Sequence, residues 1–547
     1  MPPSAETLLA AGVAPRLAPL LARRGVETEE AARRFFSPSL EDLHDPFLML
    51  GMDRATARLR SSRDTGEKVA IVGDYDVDGV TGTALLTVVL RACGIDVEPV
   101  LPNRLVDGYG FQETQVHKAR GLGCTLIVTV DCGTTSTPAV AAAQQAGIDV
   151  VVTDHHIPSP DLPQHAIQIN PRQQGCEYPF RDLSGVGLAL KLGQGVAAVC
   201  GRELPTTALL RVACLGTIAD LVPLVGENRV IASLGLEALR RTRSCGLRAL
   251  IRNARLTPPF RASDVGFRLG PRINAAGRLS TPDHALELLL TRDPDRASEL
   301  ADELEQCNTA RRAEEHKVVE EARAAIDERD ELPGILVEWA EGWHRGVVGI
   351  AASRIARQFH RPTLLLAVQD DLAVGSGRSI PGIALYDFLK QWDAELDRFG
   401  GHPQAVGMTV ARNRLESLRA AWEQAAKWPE EVLQRRYEYE LELKPEEVDQ
   451  ALFDELNTFQ PHGMGNPHPV LRVGPLEVQG GIKVFGQGHR KARAVGPNGG
   501  DVRLLAWTRD EASMVSLEGT FEVLGQLEWD SYSQVPVFEV TDSRPAA

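Results

Sequence analysis

The sequence predicts an α/β protein with a parallel-sheet domain, a second α/β domain joined to it by a long helix, and a terminal all-β domain. Its 547 residues exceed what one hydrophobic core usually serves. In the first half of the chain, apolar strands alternate with helices that end at glycine, which is typical of a parallel sheet covered on both faces. Near the end, short alternating strands with glycine-rich turns predict a small barrel or sandwich.

The strands that carry the parallel-sheet prediction are VAIVG (69–73), LIVTV (126–130) and DVVVT (149–153). The first two are followed by helical stretches that end at Gly94 and Gly147, where glycine suits the left-handed end of a helix. Residues 284–328 are rich in Ala, Leu, Glu and Arg, and the later part of this stretch predicts the long connecting helix.

These patterns divide the chain into five expected segments. They are an N-terminal helical extension (1–50), the parallel-sheet domain (51–235), a helical region with the connecting helix (236–330), the second α/β domain (331–430) and the all-β domain (435–547). Ligands of open α/β sheets bind beyond the carboxyl ends of the strands, so we expect the functional site at that edge of the first sheet.

Composition excludes several classes of protein. The net charge of −15 argues against a surface that is basic all over and coats nucleic acid. No run of 18 apolar residues predicts a membrane span, and the first residues do not have the pattern of a secretion signal. The eight cysteines are scattered without a CxxC pair, so we expect reduced thiols in a cytoplasmic protein.

Acidic and histidine side chains follow the predicted strands. The first strand leads into Asp74, Asp76 and Asp78, the second into Asp131, and the third into Asp154, His155 and His156, while Asp220 follows another apolar stretch. Because the carboxyl ends of parallel strands meet at one edge, we expect these groups to converge. Carboxylates with imidazoles suit Mn²⁺ or Mg²⁺, and two such ions form the usual site for phosphodiester hydrolysis.

Two simpler interpretations compete with a metal site. The D-x-D-x-D-G pattern also opens an EF-hand calcium loop, but that loop needs a preceding helix and a glutamate at position twelve, where this chain has Leu85. Each aspartate could instead only cap the following helix. That interpretation is reasonable for one aspartate, but it does not account for acidic residues after every predicted strand.

The same motifs resemble a known family. GDYDVDG, VDCG, TDHH and GTIADLVPL are similar to the four motifs of the DHH phosphoesterase superfamily. More narrowly, the chain resembles the RecJ family of bacterial exonucleases specific for single-stranded DNA, through segments in the same order over nearly all of the chain beyond residue 50. These segments include LPNRLVDGYGF, LGPRINAAGRLSTPDHAL, WHRGVVGIAASRIARQFHRPTLLL, GSGRSIPGIALYDFL and FQPHGMGNPHPV.

The resemblance implies a DHH domain, a DHH-associated domain and an OB-fold, with 5′→3′ hydrolysis of single-stranded DNA to mononucleotides in DNA repair and recombination. It implies two divalent cations, Mn²⁺ or Mg²⁺, and a helicase and a single-strand-binding protein as partners, with a monomer expected. The metal ligands that it implies are Asp76, Asp78, Asp131, His155 and Asp220. Asp74 and His156 would ligate metal, orient the ligands or contact the scissile phosphate.

An exonuclease that starts at a 5′ end must bind a terminal phosphate. Arginine side chains, whose guanidinium groups donate two parallel hydrogen bonds, and a hydroxyl group suit that ligand. The residues that the resemblance favours are Arg104, Arg278, Ser376, Arg378 and His402, the last expected between glycines and a helix. The segment that follows reads Pro403-Gln404-Ala405-Val406-Gly407, where the family usually has two alanines and a glycine after GGH. We expect the single strand to pass through a channel between the two α/β lobes.

The all-β domain contains a basic segment, IKVFGQGHRKAR (482–493), without an acidic residue. Its Lys483, Arg490, Lys491 and Arg493 would form a basic hairpin that follows the phosphate backbone, with Phe485 and Trp507 available for base stacking. A solvated charged turn is the alternative.

Two other functions are compatible with the metal motifs. One is a DHH phosphodiesterase that acts on short oligonucleotides, 3′-phosphoadenosine-phosphate or cyclic dinucleotides. The other is a non-catalytic replication or repair scaffold. The length of the chain and the basic segment favour a polymer substrate, and the complete set of acidic and histidine residues favours an enzyme.

Overall fold

A computed structural model describes residues 3–103, 110–159, 162–279, 281–486, 488–507, 516–530 and 532–546. These residues form two compact units. The first comprises Met1–Gly277, Thr281–Leu304 and Glu438–Ala547, and the second comprises Glu305–Tyr437 together with Arg278. Arg104, expected to contact the 5′ phosphate, lies outside the described residues. Among the described residues, no helix is both long enough and apolar enough to span a bilayer.

The parallel sheet of the first unit confirms the predicted fold class. Its strands are β1 (Lys68–Gly73), β2 (Asp96–Val100), β3 (Leu126–Val130), β4 (Asp149–Thr153) and β5 (Ala166–Ile169), in the order β2-β1-β3-β4-β5 with every pair parallel. Alternate residues of β1 enter different cores: Val69 and Ile71 join one, and Ala70 and Val72 join the other. Both faces are therefore buried, which is why the strands are apolar throughout.

Helices cover this sheet and continue beyond it. Following α4 (Met52–Thr65), they are α5 (Val77–Ala92), α6 (Glu113–Gly121), α7 (Thr137–Gln145), α8 (Gly185–Val199), α9 (Thr206–Ala219), α10 (Gly226–Leu239), α11 (Cys245–Asn253), α12 (Ala262–Asp264), α13 (Gly270–Leu279) and α14 (Asp283–Leu290), with a π-helical turn at Val265–Leu269. The long predicted helix is α15 (Pro294–Asp327), of 34 residues.

The second unit has a mixed sheet. Its elements are β6 (Leu336–Glu341), α16 (Val348–Phe359), β7 (Thr363–Gln369), β8 (Leu372–Arg378), α17 (Leu385–Leu389), β9 (Arg398–His402), β10 (Ala405–Ala411), α18 (Leu415–Ala425) and α19 (Glu430–Leu433). The strand order is β6-β7-β8-β10-β9, and among these pairs only β6 with β7 is parallel. The fully buried Trp422 lies in its core.

The terminal domain is a closed barrel. Its elements are β11 (Leu441–Leu443), α20 (Gln450–Asn457), β12 (Leu471–Phe485), β13 (His489–Val495), β14 (Asp501–Ala506), β15 (Thr520–Asp530) and β16 (Val535–Pro545). The sheet runs β11-β12-β13-β14-β16-β15, and pairing of β12 with β15 closes it. Closure removes the exposed sheet edges, as in an OB-fold.

The first helices of the chain pack on this barrel. They are α1 (Pro3–Ala10), α2 (Leu17–Arg23) and α3 (Glu29–Phe36), followed by short 3₁₀ turns at Leu40–Asp42 and Pro46–Leu48. Leu8, Leu20 and Leu21 share one core with Phe459 and Phe521. The rings of Phe35 and Phe459 meet edge to face at 5.3 Å. The N-terminal extension therefore completes the hydrophobic core of the barrel.

Arg229 on α10 connects these parts. Its side chain is buried and donates to the backbone carbonyls of Phe35 at 2.7 Å, Phe459 at 3.2 Å and Gln460 at 2.8 Å. The guanidinium also lies 3.7 Å from the centre of the Phe35 ring. Burial lowers the pKa of Arg229 to about 10, so it remains charged at neutral pH.

We predict that Arg229→Met weakens the packing of α1–α3 on the barrel. Three buried carbonyls would lose their donor, which costs about 3 kcal/mol in the free energy of unfolding. Hydrogen exchange measured by mass spectrometry should show lower protection in the peptide covering Leu17–Arg23. Arg240→Met is the control, because Arg240 is exposed and pairs with Glu237 at 2.7 Å. Unchanged protection in Arg229→Met would contradict the proposed connection.

Candidate functional site

The parallel sheet delivers acidic side chains to one edge. Asp74 directly follows β1, Asp131 follows β3 and Asp154 follows β4, and these three strands are neighbours in the sheet. The seven side chains expected at the metal centre lie together there. Their ligand atoms form three overlapping groups, within each of which the atoms lie within 4.8 Å of one another: Asp74, Asp76 and Asp131; Asp78, His155 and Asp220; and Asp131, His155 and His156.

Asp220 reaches this edge from a helix and not from a strand. It is the C-terminal cap of α9, so the apolar stretch that precedes it is helical. This apolar stretch forms part of α9, which packs against α5 and contributes residues to the hydrophobic core. His155 Nε2 lies 3.1 Å from Asp131 Oδ1 and 3.5 Å from Asp220 Oδ2, so it stands between carboxylates from different elements.

Asp76 and Asp78 also hold the surrounding helices. Asp76 Oδ1 caps α5 by accepting hydrogen bonds from the backbone amides of Asp78 and Gly79, at 3.0 and 3.1 Å. The two oxygens of Asp78 accept from the first amides of α8, Gly185 at 2.6 Å and Val186 at 2.8 Å. Capping and metal binding are therefore compatible, because the helix N-terminus stabilises the negative charge that a cation needs.

Three glycines that the sequence analysis did not single out allow the cluster to pack. An added Cβ would lie 2.4 Å from the Asp74 backbone at Gly79, 2.5 Å from Asp131 Cβ at Gly185, and 2.6 Å from Asp78 Oδ1 at Gly216. Any larger residue would displace a carboxylate. Their positions inside the motifs GDYDVDG, LSGVG and LGT were the only feature of the sequence from which their importance could have been predicted.

Asn274 was also missed, although it lies in the quoted segment LGPRINAAGRL. Its Oδ1 accepts a hydrogen bond from the Val77 amide at 3.0 Å, at the first residue of α5. The side chain of Asn274 thereby fixes the loop that carries Asp74 and Asp76.

Asp154 orients the histidine pair. Its Oδ1 contacts His156 Nδ1 at 2.7 Å and accepts from the backbone amides of His155 and His156, while Oδ2 accepts from Thr134. Burial alone would raise the pKa of Asp154, but the hydrogen bond and charge of His156 lower it to about 2. Burial opposes charge on His156 as well, but Asp154 outweighs it and raises the pKa of His156 to about 9.

The remaining carboxyl groups are electrostatically crowded. Burial, followed by the charges of neighbouring aspartates, raises the pKa of Asp78 to about 7, that of Asp220 to about 9, and that of Asp131 well above its ordinary value. Burial and the neighbouring His156 lower the pKa of His155 to about 4. Buried carboxylates without enough positive charge are unfavourable, so this donor set fits divalent cations.

Two buried atoms support the same conclusion. Asp131 Oδ1 and His155 Nε2 make no hydrogen bond with a described residue, although they are only 3.1 Å apart. A buried polar atom without a partner is costly, and a shared cation would satisfy both. Asp131 also has a φ of 63°, a left-handed conformation that is uncommon outside glycine and is tolerated best by Asp and Asn.

Apart from Arg104, the expected phosphate-contact residues belong to the second unit, and three of them meet the segment that starts α16. Arg278 Nη1 donates to the Gly346 carbonyl at 3.0 Å. An added Cβ at Gly349 would lie 3.0 Å from Ser376 Oγ and 3.1 Å from Arg378 Nη2. Arg378 in turn donates to Ser376 Oγ at 2.7 Å. Two arginines and a hydroxyl therefore lie beside a helix N-terminus, an arrangement that suits an anion.

His402 is not followed by a helix, so that expectation was wrong. It ends β9 and pairs with Ala405 of β10, which pairs with Arg378 of β8. Side chains directly opposite across strands share a face, so His402 and Arg378 project to the same side of the sheet, about 10 Å apart. Val406 points into the core and is only 2% exposed, so this departure from the family motif does not alter that surface.

The basic segment of the barrel is a hairpin of β12 and β13, as expected. Lys483 lies opposite Lys491, and Val484 lies opposite Arg490. Neighbouring strands supply carboxylates, because Lys491 pairs with Asp530 at 3.2 Å and Arg493 with Asp501 at 2.9 Å. Beside the hairpin, the rings of Phe485 and Trp507 approach to 6.1 Å, and Trp507 is 40% exposed. The surface combines positive charge with an accessible aromatic ring.

We predict that the metal-free chain loses stability as pH rises from about 6 to 9. In the folded chain the pKa values of Asp78 and Asp220, about 7 and about 9, exceed the unfolded value near 3.8. The stability that these two protonated groups contribute is therefore complete below pH 3.8 and is lost as the pH rises through their folded pKa values. In EDTA the unfolding temperature should fall by several degrees over this range, and MnCl₂ should reverse the fall.

The control is a variant with Asp78→Asn and Asp220→Asn, which should show a smaller decrease with pH because neither amide titrates. Asp149→Asn, at the opposite end of β4, should behave as the parent chain. A parent whose unfolding temperature rises with pH in EDTA would contradict the crowding of carboxylates.

Comparison with known families agrees with this geometry. The DHH family N-terminal domain matches residues 68–217, the DHHA1 domain matches 333–427 and the RecJ OB domain matches 439–540. The chain is 39% identical over 466 residues to the single-stranded-DNA-specific exonuclease RecJ of Bacillus subtilis, covering 84% of this chain and 59% of that relative. It is 36% identical over 488 residues to the Escherichia coli protein of the same name, covering 85% of this chain and 84% of that relative.

Comparison of the fold with solved structures identifies the same family. Crystal structures of RecJ from Thermus thermophilus in complex with Mn²⁺ and with Mg²⁺ superimpose with TM-scores of 0.85 and 0.79, at 30% and 28% identity. The match covers 100% of this chain and 78% of the chain in the Mn²⁺ complex. The order of the domains, the acidic cluster and the identity to curated relatives agree, and the chain belongs to the RecJ family.

Proposed function

We propose that this chain removes mononucleotides from the 5′ end of single-stranded DNA by hydrolysis that depends on two divalent cations. The observation that carries this proposal is the convergence of buried carboxylates and His155 at one edge of the sheet, with two orphaned polar atoms among them. The RecJ relatives, which are named as exonucleases specific for single-stranded DNA, support the choice of substrate.

Asp76, Asp78, Asp131, His155 and Asp220 would hold the two ions, Mn²⁺ or Mg²⁺, with Asp74 beside them. When bound, such ions lower the pKa of a water molecule and stabilise negative charge on a scissile phosphate. The neutral imidazole that burial imposes on His155 suits a ligand, because a protonated ring has no lone pair to offer.

His156 has a different proposed role. Its raised pKa keeps the ring protonated at neutral pH, and Asp154 fixes its orientation. A cationic donor next to the carboxylate cluster would contact a phosphate oxygen and stabilise charge that develops there. Asp154 would then act by positioning His156 and not by contacting the substrate.

Arg278, Ser376 and Arg378 would bind the 5′-terminal phosphate, with His402 on the same face as Arg378, and Arg104 is retained as a candidate on the sequence alone. A terminal phosphate carries more charge than an internal diester, so paired guanidinium groups favour it. The barrel hairpin would hold the strand further from its end, through Lys483, Arg490, Lys491 and Arg493. Phosphodiesterases of short oligonucleotides or cyclic dinucleotides have no evident use for such a surface.

The biological setting is proposed from the family. The Bacillus subtilis and Escherichia coli relatives are bacterial, so we propose a cytoplasmic enzyme of DNA repair and recombination. Single strands would be supplied by a helicase and handled by a single-strand-binding protein, and the chain would act as a monomer. The five-segment division of the chain is retained as the proposed domain organisation.

End-labelled single-stranded DNA tests the proposed function directly. With Mn²⁺, a 5′ label should appear at once as a mononucleotide, while a 3′ label should remain on progressively shorter strands. Asp131→Asn should reduce the rate by at least about a thousandfold, because the amide cannot supply the negative charge that the cations need. Asparagine tolerates the left-handed backbone at this position, so the fold should persist.

The matched control is Asp149→Asn, which makes the same change of carboxylate to amide at the first residue of strand β4, at the end of the sheet away from the acidic cluster. Its rate should equal that of the parent chain. Early release of the 3′ label, or full activity in Asp131→Asn, would contradict the proposed polarity or the proposed metal site, respectively.

We predict that Arg378→Lys reduces the preference for 5′-phosphorylated over 5′-hydroxyl strands by about tenfold. Lysine keeps the charge but loses the forked geometry that grips a terminal phosphate. The ratio of kcat/KM for the two substrates measures the effect. Arg412→Lys, an exposed position that pairs with Glu341, is the control in the same unit. An unchanged ratio in Arg378→Lys would remove Arg378 from the end-recognition site.

We predict that Lys483→Ala combined with Arg490→Ala weakens binding of a single strand about tenfold. The plot of log affinity against log salt should become less steep by about 1.4, because two fewer cations displace counterions. Fluorescence anisotropy with labelled oligonucleotide at several salt concentrations measures both. Arg544→Ala, whose arginine pairs with Glu522 on the same barrel, should leave the slope unchanged. An unchanged slope in the double variant would favour the solvated-turn alternative.

A further inference from the structure

The second unit contains a cavity that the proposed reaction does not use. It has a volume of about 360 Å³ and lies between the last turns of α16, the loop that follows β8 and the segment Arg435–Tyr437. A volume of this order is within the range of small-molecule sites. All of its lining residues belong to the second unit, and only Arg378 among them also has a proposed role in end recognition.

The cavity is strongly cationic. Four arginines line it (Arg357, Arg378, Arg435 and Arg436), and none of its lining residues is acidic. Within the described part of the chain, Arg357, Arg435 and Arg436 form no ion pair. Other arginines of the same unit do have carboxylate partners, namely Arg329, Arg354, Arg412 and Arg419. In a chain with an excess of 15 negative charges, Arg357, Arg435 and Arg436 beside one another without an ion pair indicate an anionic ligand.

Two of these arginines are already fixed at the wall of the cavity. Arg435 Nη2 donates to the Arg357 carbonyl at 2.6 Å and to the Gln358 carbonyl, which are carbonyls at the end of α16. Arg357 Nε donates to the Ser353 carbonyl at 3.2 Å. Guanidinium groups held in this way lose less conformational entropy when they bind an anion, and each keeps further N–H donors for it.

Apart from Ser353, His360 and Ser379, the rest of the wall is apolar and aromatic. Ala356 and Ile380 are buried in it, while Pro381 and the ring of Tyr437 are accessible, the latter at 42% exposure. An inorganic anion would not need such a surface. A ligand that combines a phosphate group with a planar apolar group would contact both kinds of wall, with its base on the Tyr437 ring.

We propose that this cavity binds a nucleoside phosphate, with its phosphates on Arg357 and Arg436 and its base against Tyr437. Burial, and after it the charge of Arg435, lowers the pKa of His360, which also lines the cavity. The inference does not depend on nuclease activity or on bound metal. Its consequence for an exonuclease is that free nucleotides would have a second place to bind besides the active centre.

Isothermal titration calorimetry of the full chain in EDTA tests this proposal without interference from metal-bound phosphate. The probes are deoxyadenosine diphosphate, inorganic pyrophosphate and deoxyadenosine. The diphosphate should bind at least about tenfold more tightly than either fragment, because it occupies both walls. Arg357→Ala with Arg436→Ala should weaken the diphosphate and pyrophosphate about tenfold or more, and Tyr437→Ala should weaken only the diphosphate and the nucleoside.

Arg414→Ala, an exposed arginine of the same unit outside the cavity, should bind the diphosphate as the parent does. Arg436→Ala alone is the second variant, because Arg436 is exposed and its loss leaves the hydrogen bonds of Arg435 in place. Equal affinity of the parent and both arginine variants would overturn the site. Pyrophosphate binding as tightly as the diphosphate would overturn its assignment to a nucleoside, and displacement of the diphosphate by a 5′-hydroxyl oligonucleotide would reassign the cavity to DNA.

Discussion

Mutual repulsion among buried carboxylates is the constraint on which the first unit depends. Asp78 and Asp131 are almost fully buried, and Asp220 lies beside them. The folded chain therefore holds several carboxyl groups together where burial disfavours their ionised form. Part of the compensation is built from backbone, because α8 directs its first amides at Asp78. Gly185 and Gly216 permit that approach, since a side chain at either position would collide with a carboxylate. The remaining imbalance is what makes a divalent cation fit.

The sequence predicted the part of this site that follows from strand geometry. Asp74, Asp131 and Asp154 could be placed together because parallel strands end at a common edge. The element that carries Asp220 could not be predicted in this way, because the short apolar run before it has no periodicity that separates a buried helix from a buried strand. His402 was misplaced for a similar reason, since glycine-rich sequence fits a hairpin as well as a helix start. The hydrogen-bond partners of Asp78 are far away in the sequence, so no local pattern could reveal them.

The carboxylates of the barrel illustrate another limit of local sequence. The segment 482–493 has no acidic residue, but Asp501 and Asp530 reach it from neighbouring strands. The net charge of a hairpin therefore depends on its partners in the sheet, which only the barrel topology defines. Lys491 and Arg493 are each paired with one of these carboxylates. On the barrel, part of the positive charge therefore sits close to acidic groups.

The shared core of α1–α3 and the barrel has a consequence for biosynthesis. Leu8, Leu20 and Leu21 are synthesised long before their partners Phe521 and Phe538, which lie near the other end of this sequence. At roughly 5–20 residues per second, these apolar helices would stay uncovered for about half a minute to two minutes. Nascent chains should therefore need a chaperone for these helices during that interval, although the parallel sheet could already have folded.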